Sequence, residues 1–160
     1  MNPRYVLPSA ALAQAVRDAQ ARTHLLLDDL TDAQWLGPRL AIVNPPLWEL
    51  GHVANFYETF VLRELDPARP PLIEHGNERY NSFVIDHDDR WEAPLPDRAG
   101  TLAYGEQVRD EVLRRLEVRE ADARETSLHL LAVFHEDMHD EAFTYTRQTL
   151  AYTPPRLGGD

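Results

Sequence analysis

Cysteine is absent from the 160 residues, which excludes a disulfide framework, a thiolate metal site and a cysteine nucleophile. Any metal would have to be held by His, Asp or Glu. Basic side chains are scarce: 16 Lys plus Arg stand against 27 Asp plus Glu, for a formal net charge of -11. A surface of that sign repels phosphate backbones, so no nucleic-acid partner is expected. No run approaches the ~18 apolar residues that a membrane span needs. Met1 to Pro8 lack the basic segment and apolar stretch of an export leader. The expectation is a soluble, cytoplasmic protein with no membrane partner. Internal repeats, low-complexity tracts and the period-two alternation of a strand are also missing.

What is present suffices for one core, since 43% of the 160 residues are hydrophobic. From Ser9, a candidate N-cap, to Leu30, the residues Leu12, Val16, Ala19, Thr23, Leu26 and Leu30 recur at helical steps. Thr31 opens a short helical turn through Trp35, which Gly37-Pro38 ends. A second long helix is predicted from Asn44-Pro45-Pro46 to about Leu65, because proline fits a helix's first turn. Pro67, Pro70, Pro71, Pro94 and Pro96 mark the stretch from Asp66 to Gly100 as an irregular crossover. Thr101 to about Glu120 and Arg124 to about Leu150 complete the set. The fold class is therefore all-α: a four-helix bundle over residues 1–151 with a long connection between helices 2 and 3. Residues 152–160, with Pro154-Pro155 and Gly158-Gly159, read as a linker.

Chemistry concentrates on the last helix, whose inward stripe is expected to be Leu128, Leu131, Ala132, His135, Met138, His139, Ala142 and Thr146. His135 and His139 sit one turn apart, so both imidazoles can reach one ion. Seven histidines in this length make such a pair a frequent coincidence. His52 on the second helix adds weight, and Gly51 before it suggests a place where close packing needs room. Three histidines from two helices form a metal-ligand candidate set with open coordination positions.

His135-Glu136-Asp137-Met138-His139 also matches the zinc-protease pattern, but no histidine follows to complete that site. Glu141, roughly 160° round the helix from His139, is a poor co-ligand. The other side chains receive structural readings. His24, His75 and His129 are placed on helix flanks, and Trp35, Trp48 and Trp91 in packing. Glu136, Asp137 and Asp140 read as a solvated helix face. His87, among charges in the long connection, could line a pocket or be solvated.

At these residues the sequence resembles the DinB-like N-terminal domain of the non-haem iron sulfoxide and selenoxide synthases, the ergothioneine and selenoneine synthases. The resemblance covers nearly the whole chain. It is carried by Pro46-Leu-Trp-Glu-Leu-Gly-His52 with Phe56 to Glu58, by Tyr80-Asn-Ser-Phe83, and by His135-Glu-x-x-His139-x-Glu141. It implies that His52, His135 and His139 bind Fe(II), with Glu58 and Glu141 as candidates to orient a ligand's ring N–H. The implied reaction is an O2-dependent joining of a thiol or selenium donor to the imidazole C2 of hercynine. Asn44-Pro-Pro-Leu-Trp-Glu-Leu-Gly-His52, His87-Asp-Asp-Arg-Trp91 and Leu95-Pro96 look more like the selenoneine branch.

Enzymes of that family continue into a C-terminal domain of the formylglycine-generating type. No general acid or base is assigned here, and the 160-residue chain by itself is expected to be inactive. Either it is a fragment of a longer enzyme or it is a free-standing relative. The alternatives are a stand-alone DinB-like thiol transferase using zinc or nickel, a metal-free structural or partner-binding bundle, and zinc hydrolysis.

Overall fold

The computed structural model describes residues 6–156, and every regular element among them is helical. The first helix, α1 (Ser9–Leu27), buries Leu12, Val16, Ala19, Thr23 and Leu26 along the predicted face. Ser9 does not cap it. Pro8 holds the cap position, while the Ser9 hydroxyl accepts from Ala121 N–H and donates to Arg119 C=O, tying the helix start to a distant turn. In α2 (Asp32–Leu36), Thr31 and Gln34 form a reciprocal capping box, which stabilises a helix of barely more than one turn. Gly37 ends it with φ 62°, a left-handed conformation that glycine adopts without strain.

The second long helix, α3 (Pro46–Tyr57), begins at its prolines as predicted and runs on into a π-helical stretch, Glu58–Arg63. The wider winding buries Glu58, Val61 and Leu62 together. Periodicity predicted a regular helix here, and it has no signal for a π turn.

The long connection is more ordered than its prolines suggested. Prolines stand near its two ends, and the proline-free middle forms α4 (Gly76–Tyr80) and a 3₁₀ turn, Asp88–Trp91. The third long helix, α5 (Arg98–Val118), starts three residues before the predicted Thr101, because Asp97 caps Gly100 N–H at 2.8 Å. Asp122 and Glu125 form a second capping box at the start of α6 (Ala123–Thr149).

The bundle places α1 against α5 and α6, and α3 against the same two helices. Its main core includes Leu12, Val16, Trp48, Val61, Tyr80, Val112 and Ala132, and a smaller one gathers Leu26, Leu27, Leu30, Trp35 and Phe143. Tyr152, expected in a linker, packs on this second cluster. Residues 157–160 of that predicted linker lie outside the described residues. No helix is long and apolar enough to cross a membrane among the described residues.

The phase of α6 differs from the sequence expectation. Its buried side includes His129, Ala132, Glu136, His139, Phe143 and Arg147, whereas Leu131 and Met138 are exposed. Treating Glu136 and Asp140 as a solvated face rotated the predicted stripe. Both are in fact buried, and His129, read as a flank residue, is fully enclosed with its Nδ1 2.7 Å from Glu125 C=O.

Candidate metal centre

His52 projects from the middle of α3, and His135 and His139 from the middle of α6. One ring nitrogen of each falls within 4.8 Å of the other two, so the structure brings together all three sequence-predicted ligands. His52 Nε2 and His135 Nε2 face each other at 3.2 Å.

Each ring is held from behind by a different device. His52 Nδ1 lies 2.6 Å from Tyr80 C=O, and a carbonyl can only accept, so Nδ1 carries the hydrogen. The Nε2 lone pair is thereby presented to the centre. Gly51 makes this contact possible: a Cβ there would lie 2.2 Å from Tyr80 Cε1. The room that the sequence suggested at Gly51 is occupied by Tyr80. Trp48 stacks on His52 at 4.9 Å between centroids, and its own N–H donates to Arg79 C=O at 2.7 Å.

Phe56 stacks on His135 at 3.7 Å with planes 11° apart. His139 Nδ1 lies 2.7 Å from Glu49 Oε1, which leaves its buried Nε2 with no protein partner. Burial pushes the His52 imidazole down to about 4 and the His135 imidazole down to about 3. Both rings are thus neutral donors at physiological pH. Two facing Nε2 atoms and one orphaned Nε2 are a donor set that fits a divalent cation, which would satisfy all three lone pairs at once.

Neither carboxylate predicted to orient a ligand does so. Glu58 is buried but accepts from Tyr104 O–H and Leu72 N–H, both at 2.6 Å. Glu141 is exposed along a groove on the other side of α6. The carboxylate that meets a ligand ring is Glu49, which sequence reasoning missed although it stands inside the quoted motif. Its place three residues before His52, on one helix face, was the available signal.

The acidic residues beside the ligands form their own buried cluster. Thr23 Oγ1 lies 2.9 Å from Glu136 Oε1 and 2.7 Å from Asp140 Oδ1, and Tyr57 O–H donates to Glu136 Oε2 at 2.9 Å. One hydroxyl hydrogen cannot serve two carboxylates at once, so the two acids share a single neutral donor there. Burial pushes Glu136 up to about 7 and Asp140 up to about 6. Asp137 lies outside the cluster and pairs with Arg22.

The histidines open onto a pocket of about 400 Å³. Asn44, Asn55, Asn77 and Asn81 give it polar walls, and Phe60, Phe83 and Met138 line it with apolar surface. Arg90, another residue the sequence did not single out, lies with Cζ 4.1 Å from the Trp48 ring centroid. Its Nη1 donates to Asn44 Oδ1 at 2.7 Å, while its buried Nε has no protein partner. His87 does not line this pocket, and its Nε2 meets Val43 C=O at 2.8 Å.

Residues 15–143 match the DinB superfamily. The chain belongs to that superfamily. Among proteins similar to this DinB bundle is the hercynine oxygenase of Mycolicibacterium thermoresistibile, 35% identical over 133 residues, which are 82% of this chain and 29% of the relative. The hercynine oxygenase of Mycobacterium tuberculosis is 31% identical over 131 residues, 81% of this chain and 30% of the relative. The DinB bundle therefore spans less than a third of the length of these curated relatives.

Proposed function

We propose that this chain is the iron-binding bundle of an enzyme that uses O2 to join sulfur or selenium to the imidazole C2 of hercynine. The observation that carries the reading is the convergence of His52, His135 and His139 on one point in a chain similar to hercynine oxygenases. His52, His135 and His139 would hold Fe(II) through neutral imidazoles, and the ion would supply the activation of O2 and of the chalcogen donor. In a balanced sulfur reaction the donor S–H and imidazole C–H are lost and a C–S bond forms. One oxygen atom ends on sulfur, and the other leaves as water with both hydrogens.

The chain's own residues contribute binding and orientation. Arg90, with an unpartnered Nε at the pocket wall, is suited to a substrate carboxylate. Hercynine carries one, and so does an amino-acid thiol donor. Phe60 and Phe83 offer aromatic faces for the trimethylammonium group. Trp48, Phe56 and the Tyr80 carbonyl hold the ligand rings still, so that reactants meet in a fixed geometry.

Part of the pocket lies open: Phe83 is 98% exposed, and Phe60 and Met138 are also exposed at its edge. A second domain, of the formylglycine-generating type, would cover this rim, with residues 152–160 as the linker to it. The purified chain should bind Fe(II) near one equivalent by elemental analysis, and His135→Ala should abolish that binding. Unchanged metal content in the variant rejects the site. With the second domain supplied, hercynine and a thiol or selenium donor should drive O2 consumption. The chain by itself should show little C–S or C–Se bond formation.

The match to the DinB superfamily over residues 15–143 supports a second reading. There the bundle is a thiol transferase that uses zinc or nickel to activate a low-molecular-weight thiol. Turnover that persists without O2 favours it over the oxidase.

A further inference from the structure

The three candidate ligands differ in what stands behind them. His52 is backed by a neutral carbonyl, and the buried Nδ1 of His135 has no partner. His139 alone is backed by a carboxylate, Glu49, whose Oε1 lies 2.7 Å from Nδ1. Glu49 is 0% exposed, and its Oε2 has no hydrogen-bond partner. No arginine or lysine reaches it within salt-bridge distance among the described residues. An enclosed carboxylate with half its acceptor capacity unused is an expensive feature unless something balances its charge. Arg90 acts on Glu49 electrostatically without pairing with it, and on the far side of the His139 ring lies the point where the three imidazoles converge, where a metal ion would place positive charge. Its position in the first turn of α3, where helix N–H groups favour an anion, adds a fixed contribution of the same sense.

We propose that Glu49 is a positioning residue that locks His139 with its hydrogen on Nδ1 and sets one negative charge behind the metal, making the three-histidine centre a charge-compensated one. The proposal rests on the reading that His52, His135 and His139 hold a metal. Two roles follow for the one side chain. The hydrogen bond aims the ring, and the charge strengthens His139 as a donor. A residue that merely ties α3 to α6 would need only the hydrogen bond.

Glu49→Gln separates these roles, because the amide oxygen can still accept from Nδ1 while the charge is lost. Glu49→Ala removes both. Anaerobic competition titrations with Co(II) and Zn(II) should show the Gln variant weakened about 10- to 100-fold, and the Ala variant at least as much. The Co(II) ligand-field spectrum of the Gln variant at saturation should match the wild type. In the presence of a chelator, the Gln variant should melt at the same temperature as the wild type or higher, since a poorly balanced buried charge has gone. Glu49→Asp, which keeps the charge, should recover part of the affinity.

Wild-type affinity in Glu49→Gln overturns the inference while leaving the three-histidine reading intact. So does a chelated Gln variant that melts lower or does not fold, which would make Glu49 a structural tie. A wild-type chain that takes up neither ion removes both this inference and the reading beneath it.

Discussion

A ring nitrogen is useful to a metal only if its lone pair is bare and correctly aimed, and at this site single atoms decide that. The Tyr80 carbonyl fixes the His52 hydrogen on Nδ1, and Gly51 lets Tyr80 approach. Gly51→Ala would force a Cβ to within 2.2 Å of the Tyr80 ring, a place that only a shift of buried structure can clear. Overpacking of this kind costs about 1–3 kcal/mol. Thermal denaturation of the chelated variant should show that loss, and metal affinity should fall with it as His52 loses its anchor. Arg90→Met belongs to the same scale but acts differently. It removes a cation from the pocket wall without touching a ligand ring, so Fe(II) binding should stay near one equivalent. In the two-domain enzyme KM for a carboxylate-bearing substrate should rise about 10-fold or more, the loss expected of a charged hydrogen bond worth about 1.5–3 kcal/mol. Unchanged KM assigns Arg90 to structure alone.

Between helices, polar contacts fix the register that apolar packing leaves loose. Arg147 on α6 is buried, donating to Leu26 C=O at 2.7 Å and to both oxygens of Asp29 at 2.7 and 2.9 Å. The Arg147 guanidinium holds the Asp29 carboxyl below its ordinary 3.8. An acid whose folded-state value is depressed adds stability that is present above the unfolded value and lost as pH falls through the folded one. Asp29→Asn should therefore lower the melting temperature at pH 7, and its gap from the wild type should close as pH drops below 3.8. A gap that persists into strong acid contradicts the pairing. The four long helices were legible in the sequence because their apolar spacing is local. The winding of Glu58–Arg63 into a π segment and the phase of α6 were not, because each depends on partners far along the chain. Glu136 and Asp140 looked like solvent-facing acids until Thr23 and Tyr57, from other helices, closed over them.

Taken whole, the bundle brings α3 and α6 together around the candidate centre, so binding of a metal there would be linked to folding. Occupancy at 100 times Kd would add about 2.7 kcal/mol by mass action. For a chain of this size that corresponds to a rise in melting temperature of about 5–10 °C. Calorimetry with and without Zn(II) should show it in the wild type and not in His135→Ala. A Zn(II)-dependent rise of equal size in the variant would place the ion elsewhere.

Helical class and the crossover could be read from residues alone, since helix periodicity and prolines are local, as could the His135–His139 pair from its four-residue spacing; His52, 83 positions before His135, joined them through the motif shared with the synthases. The sequence also contained Glu49 and Arg90, without marking them as different from other charged side chains. Contacts between helices settle which carboxylate stands behind a ligand ring, which acids are enclosed, and which carbonyl sets the His52 tautomer. Those outcomes turn on distances between helices, where burial changes what a charge costs and a shift of an ångström makes or breaks a hydrogen bond.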